Sequence, residues 1–202
     1  MTDEKIKKII SPDTKKENRI PPGQFESRAK KWPTLNIEKP PEFNIEEWRL
    51  TIDGLVRKKI ELNYNELKNL GLTEIYADFH CVTSFSILNC TWVGVQALEI
   101  KKVVSIHPEA KAVMLYAPGK YTTNLTIEEF FNEDVLLAFQ LNGKDLTPLQ
   151  GFPLRLVVPK LYAYKSIKWI NRIEFINENT AGYWEEKGYH LHGDPWGEDR
   201  YL

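Results

Sequence analysis

Residues 78–86 have the sequence Asp-Phe-His-Cys-Val-Thr-Ser-Phe-Ser, and residues 91–95 have the sequence Thr-Trp-Val-Gly-Val. The apolar residues before Cys81 predict a strand over residues 75–81. The small hydroxyl residues that follow predict a loop, which could present the Cys81 thiol to a cofactor or a substrate. A free cysteine is also a common buried residue, so this stretch alone leaves a structural role open.

Short predicted strands lie on both sides of this stretch. Apolar runs predict further strands over residues 48–52, 59–62, 111–117, 135–141, 154–158 and 167–176. Helices are predicted over residues 64–70 and 95–104 and after residue 126, and Asn63 with Glu66 and Thr126 with Glu129 have the spacing of capping boxes. Because strands outnumber the short helices, we expect an α+β fold with a largely β core.

The N-terminal part of the chain has a different composition. Residues 1–47 are polar and contain Pro21-Pro22, Pro33 and Pro40-Pro41, which break long helices and central strands. Residues 1–31 carry more Lys and Arg than Asp and Glu, as a solvated tail does. The 202 residues fit a single core, so we predict an extended arm over residues 1–47 and one globular domain over residues 48–202.

Charge and hydropathy exclude several classes of protein. A formal net charge of −1 argues against nucleic acid as a partner, since nonspecific binding to phosphates needs many uncompensated cations. Apolar runs are too short to span a membrane, and the N-terminus lacks the apolar segment of a secretory signal. We therefore expect a cytoplasmic protein in which Cys81 and Cys90 are free thiols.

Common catalytic and metal-binding motifs are missing from the sequence. No CxxC or HExxH spacing indicates a structural zinc site, and no glycine-rich nucleotide loop or GxSxG motif is found. His190 and His192 would share one face of a strand. With no third ligand near them in sequence, they are interpreted as surface or hydrogen-bonded histidines.

A basic segment and an aromatic tail remain as candidates. Arg155 lies within an apolar strand, so its guanidinium must meet an anion or a wet face of the sheet. Lys165, Ser166 and Lys168 follow closely and could complete a phosphate or oxyanion site, although exposed edge-strand charges fit the spacing equally well. The aromatic residues of 182–196 predict a tail that folds back onto the domain.

Taken in order, these segments resemble the molybdopterin-binding domain of the sulfite oxidase superfamily, in its short, stand-alone, sulfite-oxidase-like oxidoreductases. The resemblance covers about residues 19–202 and rests on the order and spacing of several motifs. They are Pro-Pro-Gly-Gln at 21–24, Trp48 with residues 53–56, Phe-His-Cys-Val-Thr at 79–83, Trp-Val-Gly-Val at 92–95, Tyr-Thr-Thr at 121–123, residues 151–159, Lys-Ser-Ile-Lys at 165–168, and the Gly-Tyr-Trp and Gly-Asp-Pro-Trp segments of the tail.

The resemblance implies a cofactor and a set of site residues. The cofactor is molybdopterin with molybdenum, and Cys81 matches the protein ligand to the metal and the catalytic position. The implied cofactor-binding residues, one of them in the arm, are Gln24, His80, Cys81, Thr83, Thr122, Gln150, Arg155, Ser166, Ile167 and Lys168. Tyr121, Tyr162, Tyr189 and His190 are candidates for the pocket wall. The implied reaction is oxygen-atom or two-electron transfer.

The implied partners are a small-molecule substrate, either a sulfite-like anion or a sulfoxide, and an unidentified electron donor or acceptor. The family that the chain resembles usually has Gly-Trp where this chain has Ser84-Phe85. That departure leaves a redox-inactive pterin-binding module of the same fold as the alternative. A cysteine-nucleophile enzyme is disfavoured, because His80 and Cys81 are adjacent and would face opposite sides of a strand.

Overall fold

The computed structural model describes residues 6–27 and 32–202, and residues 1–5 and 28–31 of the predicted arm lie outside this description. The strands are β1 (Lys7–Ile10), β2 (Phe25–Glu26), β3 (Arg49–Gly54), β4 (Ile60–Asn63), β5 (Thr73–His80), β6 (Phe85–Gln96), β7 (Ala112–Tyr116), β8 (Thr122–Thr126), β9 (Leu136–Leu141), β10 (Lys144–Asp145), β11 (Arg155–Val157) and β12 (Arg172–Ile176). The α-helices are α1 (Tyr64–Lys68) and α2 (Ile127–Phe130), and 3-10 helices cover Pro12–Lys15, Ala97–Lys102, Pro148–Gln150, Ala163–Lys165 and Glu185–Lys187. The predicted α+β class with a largely β core is confirmed.

The strands form two sheets. The first has the order β1-β5-β6-β9-β10, with β2 paired to β6 and β11 paired to β9. The second has the order β4-β3-β12-β7-β8. Strands β5 and β6 form an antiparallel hairpin, and residues 81–84 join them. This connection, called the cysteine loop below, lies at the end of the hairpin in the first sheet.

Apolar side chains from both sheets form one large core cluster. It contains Ile52 and Phe175 from the second sheet and Val95, Leu137 and Leu156 from the first, each 0% exposed. A smaller cluster covers the other face of the first sheet. Because β9 is buried on both faces, its sequence is an almost continuous apolar run rather than an alternating one.

Local sequence signals succeeded at the helix starts and failed at the longest strand. Both capping boxes, at Asn63 and at Thr126, are present as predicted. The helix predicted over residues 95–104 is wrong: Val95 pairs with Leu137 in the sheet, and a 3-10 helix covers Ala97–Lys102. The apolar spacing there is helical because the 3-10 helix buries Ala97 and Ile100. Most of β6, and β8, were not predicted.

The N-terminal arm contributes strands to the first sheet. Strand β1 pairs in parallel with β5, and β2 pairs in parallel with β6. Ser11 is fully buried and donates a hydrogen bond from Oγ to Asp134 Oδ2 at 2.5 Å. A solvated tail therefore does not describe residues 7–26. The division between residues 47 and 48 stays a prediction. No helix in the described part of the chain is long and apolar enough to cross a membrane.

Candidate functional site

A pocket of about 400 Å³ opens beside the cysteine loop. One wall is the loop itself, and a second is the basic segment that contains Arg155 and residues 166–169. The aromatic tail contributes Trp184 and Tyr189, and residues of the arm between 33 and 37 lie at a further side. The pocket therefore joins the three segments that the sequence singled out.

Cys81 directly follows β5 and lines the pocket. Its side chain is 7% exposed, and its sulfur lies 3.1 Å from Thr83 Oγ1, which also lines the pocket. Cys81 and Cys90 are both free, as predicted. Cys90 is fully buried in the smaller core cluster, and burial raises its pKa to about 12. Only Cys81 of the two thiols faces the pocket.

Gln24 and His80 lie behind the cysteine loop and do not line the pocket. Gln24 Nε2 donates to the carbonyl oxygen of Cys81 at 3.2 Å, and its Oε1 accepts from Ser86 Oγ at 2.6 Å. His80 Nδ1 lies 2.9 Å from the same Ser86 hydroxyl. Burial lowers the pKa of His80 to about 4, so the ring is neutral near pH 7. A direct contact of either residue with the cofactor stays a prediction.

Arg155 is the buried cation of the pocket. It is 3% exposed, and its guanidinium donates to the carbonyl oxygens of Gln150 and Ser166, each at 3.0 Å. The guanidinium carbon also lies 5.2 Å from the ring centroids of Phe79 and Trp92. No described carboxylate pairs with it, and burial lowers its pKa to about 10. A buried guanidinium with unused N–H donors is suited to bind an anion.

Lys168 lies next to Arg155 and holds the arm against the pocket. Its Nζ donates to the carbonyl oxygen of Leu35 at 2.8 Å and to the side-chain oxygen of Asn36. Burial and the charge of Arg155 lower the pKa of Lys168 to about 7. Ser166 and Ile167 line the same wall, although the Ser166 hydroxyl accepts from the amide of Val158 at 3.0 Å.

Lys165 does not belong to this anion site, contrary to the prediction. It is fully buried, and its Nζ lies 2.5 Å from Glu185 Oε1. The same ammonium donates to Asn124 Oδ1 at 2.8 Å and to the carbonyl oxygen of Leu191 at 2.6 Å. Lys165 does not line the pocket, and the carboxylate of Glu185 already neutralises its charge.

Thr122 and Gln150 also lie outside the pocket lining. The carbonyl oxygen of Thr122 accepts from the amide of Tyr183 at 3.0 Å, so this residue docks the tail. The side chain of Gln150 caps its own 3-10 helix by accepting from the amide of Thr147 at 3.0 Å. Direct contact of Thr122 or Gln150 with the cofactor stays a prediction.

Aromatic rings form a further wall of the pocket. Tyr121 donates from its hydroxyl to the carbonyl oxygen of Tyr164 at 2.6 Å, and burial raises its pKa. The Tyr189 ring lies 4.9 Å from Trp184 and 5.4 Å from Tyr164. Of the predicted wall residues, Tyr121 and Tyr189 line the pocket, whereas Tyr162 does not.

Sequence reasoning missed Trp184, Tyr164 and the arm residues Leu35 to Ile37 as lining residues. The Gly-Tyr-Trp segment was the available signal for Trp184, but spacing alone could not direct it into a pocket.

The two tail histidines face separate carboxylates outside the pocket. His192 Nδ1 contacts Glu129, and His190 Nδ1 lies 3.4 Å from Asp199 Oδ2. Among the described residues, no group of three or more His, Cys, Asp or Glu side chains could hold a metal ion. This agrees with interpreting His190 and His192 as hydrogen-bonded histidines, and His190 does not form part of the pocket wall.

The donor set of the pocket fits a cofactor that carries both an anionic group and a metal that binds sulfur. A free thiol and a buried guanidinium that no described carboxylate pairs line one cavity, and thiolates are preferred ligands of soft metal centres. Fold and pocket together are those expected of the α+β molybdopterin-binding oxidoreductases that the sequence resembles.

The family model described as oxidoreductase molybdopterin binding domain matches residues 37–184, and the chain belongs to this family. The chain is 40% identical over 184 residues to the uncharacterized oxidoreductase YuiH of Bacillus subtilis, covering 91% of this chain and 92% of YuiH. It is 30% identical to the protein-methionine-sulfoxide reductase catalytic subunit MsrP of Campylobacter jejuni, covering 76% of this chain and 59% of MsrP.

Sulfite oxidase of Arabidopsis thaliana is 25% identical, with 73% of this chain and 47% of that protein covered. Among solved structures, the sulfane dehydrogenase SoxCD of Paracoccus pantotrophus matches with a TM-score of 0.63 and 24% identity over 69% of this chain and 40% of that chain, which shows a shared fold. The chain is thus a molybdenum-dependent oxidoreductase whose cofactor is molybdopterin, as the resemblance implied.

Proposed function

We propose that the Cys81 thiolate is the protein ligand to molybdenum and that Arg155 and Lys168 bind the anionic phosphate of the pterin. The observation that carries this proposal is the common pocket: the free thiol of Cys81 and the buried guanidinium of Arg155, which no described carboxylate pairs, line one cavity. Coordination by a metal removes the thiol proton, so Cys81 would act as an anionic sulfur ligand. Thr83, with its hydroxyl 3.1 Å from the Cys81 sulfur, would donate a hydrogen bond to that thiolate.

When bound, the molybdenum cofactor supplies two-electron redox chemistry coupled to oxygen-atom transfer. The protein supplies binding, orientation and a dry environment. Arg155 and Lys168 neutralise the phosphate, while Tyr121, Trp184 and Tyr189 exclude water from the side of the pocket near the tail.

We propose a neutral sulfoxide as the substrate class, in preference to sulfite. Arg155 and Lys168 are the cationic side chains that line the pocket in the described part of the chain, and the proposal assigns both to the cofactor. The remaining wall is uncharged and mostly apolar and aromatic, which suits a neutral, polarisable substrate better than a doubly charged anion. The similarity to a methionine sulfoxide reductase catalytic subunit supports the same choice.

The overall reaction would take up two electrons and two protons, break the sulfur–oxygen bond of the sulfoxide, and release a thioether and water. The electrons would come from an external one- or two-electron reductant. This reductant would be the electron partner, which is not yet identified.

The ligand assignment is tested by metal content. Wild type, Cys81→Ser and Cys90→Ser are made in a host that synthesises the cofactor, and molybdenum and pterin are measured on each purified protein. We expect Cys81→Ser to lose most of its molybdenum and all turnover, and Cys90→Ser to retain both. Full molybdenum in Cys81→Ser would overturn the assignment, whatever the Cys90→Ser protein retains.

The substrate class is tested with artificial electron partners on the molybdenum-loaded protein. Reduced viologen with a dialkyl sulfoxide measures reduction, and ferricyanide with sulfite measures oxidation. We expect sulfoxide turnover to exceed sulfite turnover. Faster sulfite oxidation would reverse the substrate proposal, and a loaded protein inactive with both would support the redox-inactive module.

A further inference from the structure

The cysteine loop is held from outside at several of its backbone carbonyl groups. Gln24 Nε2 donates to the carbonyl oxygen of Cys81 at 3.2 Å, and Arg200 Nη1 donates to that of Val82 at 2.5 Å. The amide of Phe25 donates to the carbonyl oxygen of Ser84 at 3.0 Å. These donors come from the arm and from the tail, segments far from the loop in sequence.

Ser84 has an unusual backbone conformation for its residue type. Its φ is +74°, in the left-handed region that glycine adopts readily and other residues adopt at a cost. The turn is closed by hydrogen bonds from the Ser84 amide to the Cys81 carbonyl at 3.0 Å and from the Cys81 amide to the Phe85 carbonyl at 2.8 Å. The direction of the Cys81 side chain therefore depends on a turn that serine does not favour.

Arg200 contacts the residue that adopts this conformation. Its Nη1 lies 3.1 Å from Ser84 Oγ, and its Nη2 donates to the carbonyl oxygen of Gly23 at 3.3 Å. Arg200 forms no ion pair with another described residue, so its guanidinium N–H groups donate to these neutral oxygens. A guanidinium can bridge several oxygens in one plane, which an ammonium cannot do with the same geometry.

The same residue also joins the loop to the aromatic wall. The carbonyl oxygen of Arg200 accepts from the amide of His190 at 3.2 Å, directly after the pocket residue Tyr189. Tyr201 next to it pairs with Tyr189 and places its ring 5.1 Å away. The backbone of Arg200 is thus fixed to the wall while its side chain is fixed to the loop.

We propose that Arg200 is a positioning residue that stabilises the left-handed turn at Ser84 and thereby fixes Cys81 relative to the pocket. Where a glycine at position 84 would adopt this turn freely, this chain uses a serine together with an arginine from the tail. The importance of this for the reaction rests on the proposed role of Cys81 as the metal ligand. The effect on the loop itself does not depend on that role.

The test follows the alkylation rate of Cys81 in the full-length chain made without cofactor, resolved from Cys90 by peptide mass spectrometry. We expect Arg200→Met to accelerate alkylation by about tenfold, the factor that loss of one charge-assisted hydrogen bond gives. The alkylation rate of Arg200→Lys should lie between those of wild type and Arg200→Met, since lysine can still reach the Val82 carbonyl.

The decisive variant is Arg200→Met combined with Ser84→Gly. Glycine removes the need for the arginine at the turn. Cys81 of this double variant should therefore be alkylated at a rate within about threefold of the wild-type rate. Arg172→Met is the matched control, because Arg172 pairs with Asp53 on the second sheet and should leave the Cys81 rate unchanged. In the molybdenum-loaded protein, the visible absorption band of the metal–thiolate bond should change in Arg200→Met and recover in the double variant.

A wild-type alkylation rate in Arg200→Met would overturn the proposal. So would equal acceleration in Arg172→Met, or a double variant as reactive as Arg200→Met alone. Retention of molybdenum by Cys81→Ser would instead refute the proposed ligand, while leaving the alkylation result for Arg200 interpretable.

Discussion

Lys165 Nζ lies 2.5 Å from Glu185 Oε1, and both side chains are buried. Glu185 Oε1 also accepts from Thr123 Oγ1 at 2.9 Å, and Lys165 Nζ donates to Asn124 Oδ1 at 2.8 Å. Burial lowers the pKa of Lys165, and the charge of Glu185 opposes this change. The network therefore joins the basic segment, β8 and the tail behind the pocket, and it fixes the position of Trp184 next to Glu185.

Replacing Lys165 by methionine should strongly destabilise the fold. The substitution leaves Glu185 buried without its cation, which costs about 3–5 kcal/mol for such pairs. Urea unfolding measures the change in the free energy of unfolding. The control is Lys8→Met, which breaks the exposed pair with Glu74 and should cost less than about 1 kcal/mol. Similar losses in both variants would show that the buried pair has no special role.

The anion affinity of the pocket should depend on pH through Lys168. Burial and Arg155 lower its pKa to about 7, so the ammonium is charged below that pH and loses its charge as the pH rises through it. Arg155 is the charged group facing Lys168, and its pKa of about 10 keeps it cationic over this range. The other groups on Lys168 Nζ are the oxygens of Leu35, Asn36 and Leu149, which are neutral.

Sulfate is the suitable probe because it stays a dianion at these pH values. Its affinity for the cofactor-free chain should fall by about tenfold or more from about pH 6 to about pH 9, as expected for loss of one charge-assisted contact. Calorimetry at constant ionic strength measures this. The sulfate affinity of Lys168→Arg should be high and independent of pH, and that of Lys168→Met should be low and independent of pH. A sloping profile in Lys168→Met would assign the titration to another group.

Sequence reasoning succeeded where the signal is local. The capping boxes at Asn63 and Thr126 are each contained within four residues, and the strand before Cys81 follows from the mainly apolar stretch that precedes it. The order of the motifs identified the family even though no single motif did. Arg155 was recognised as unusual because a cation within an apolar strand needs a particular environment.

The remaining features depend on pairing between distant segments. Residues 85–96 form a strand because they pair with both β5 and β9, although the spacing of apolar residues after Val95 favours a helix. Lys165 and Lys168 are three residues apart and chemically identical, yet Glu185 from the tail pairs with Lys165 and leaves Lys168 at the pocket. The contact of Arg200 with the cysteine loop spans more than 100 residues of sequence. No local pattern specifies any of these contacts.

Gly182 is required for the tail to dock onto β8. A Cβ atom at this position would lie 2.7 Å from both the Thr122 carbonyl oxygen and the Thr123 Cα atom, closer than side chains normally approach backbone. Gly182→Ala should therefore displace Trp184 and destabilise the fold by about 1–3 kcal/mol, the usual cost of overpacking.

Urea unfolding and cofactor retention measure the effect of Gly182→Ala, and Gly197→Ala in the same tail is its control. At Gly197 the nearest atom to an added Cβ is Asp199 Oδ1 at 3.3 Å, on a side chain that can move. The control should change little. If Gly182→Ala retained wild-type stability and cofactor, close packing of the tail against β8 would not matter for the pocket.

Replacing Arg155 should reduce cofactor binding strongly while changing the stability of the cofactor-free fold little. Its guanidinium is buried without a described carboxylate partner, so its charge opposes folding until an anion binds. Arg155→Met removes that charge and also the hydrogen bonds to the carbonyls of Gln150 and Ser166, two effects of opposite sign.

In the cofactor-free chain of Arg155→Met we expect a change in the free energy of unfolding within about 1 kcal/mol, far smaller than for Lys165→Met. Molybdenum and pterin retention should fall by about tenfold or more, because the phosphate loses its charge-assisted donor. An Arg155→Met protein that lost as much stability as Lys165→Met, yet kept its molybdenum, would place Arg155 in the core and not in the cofactor site.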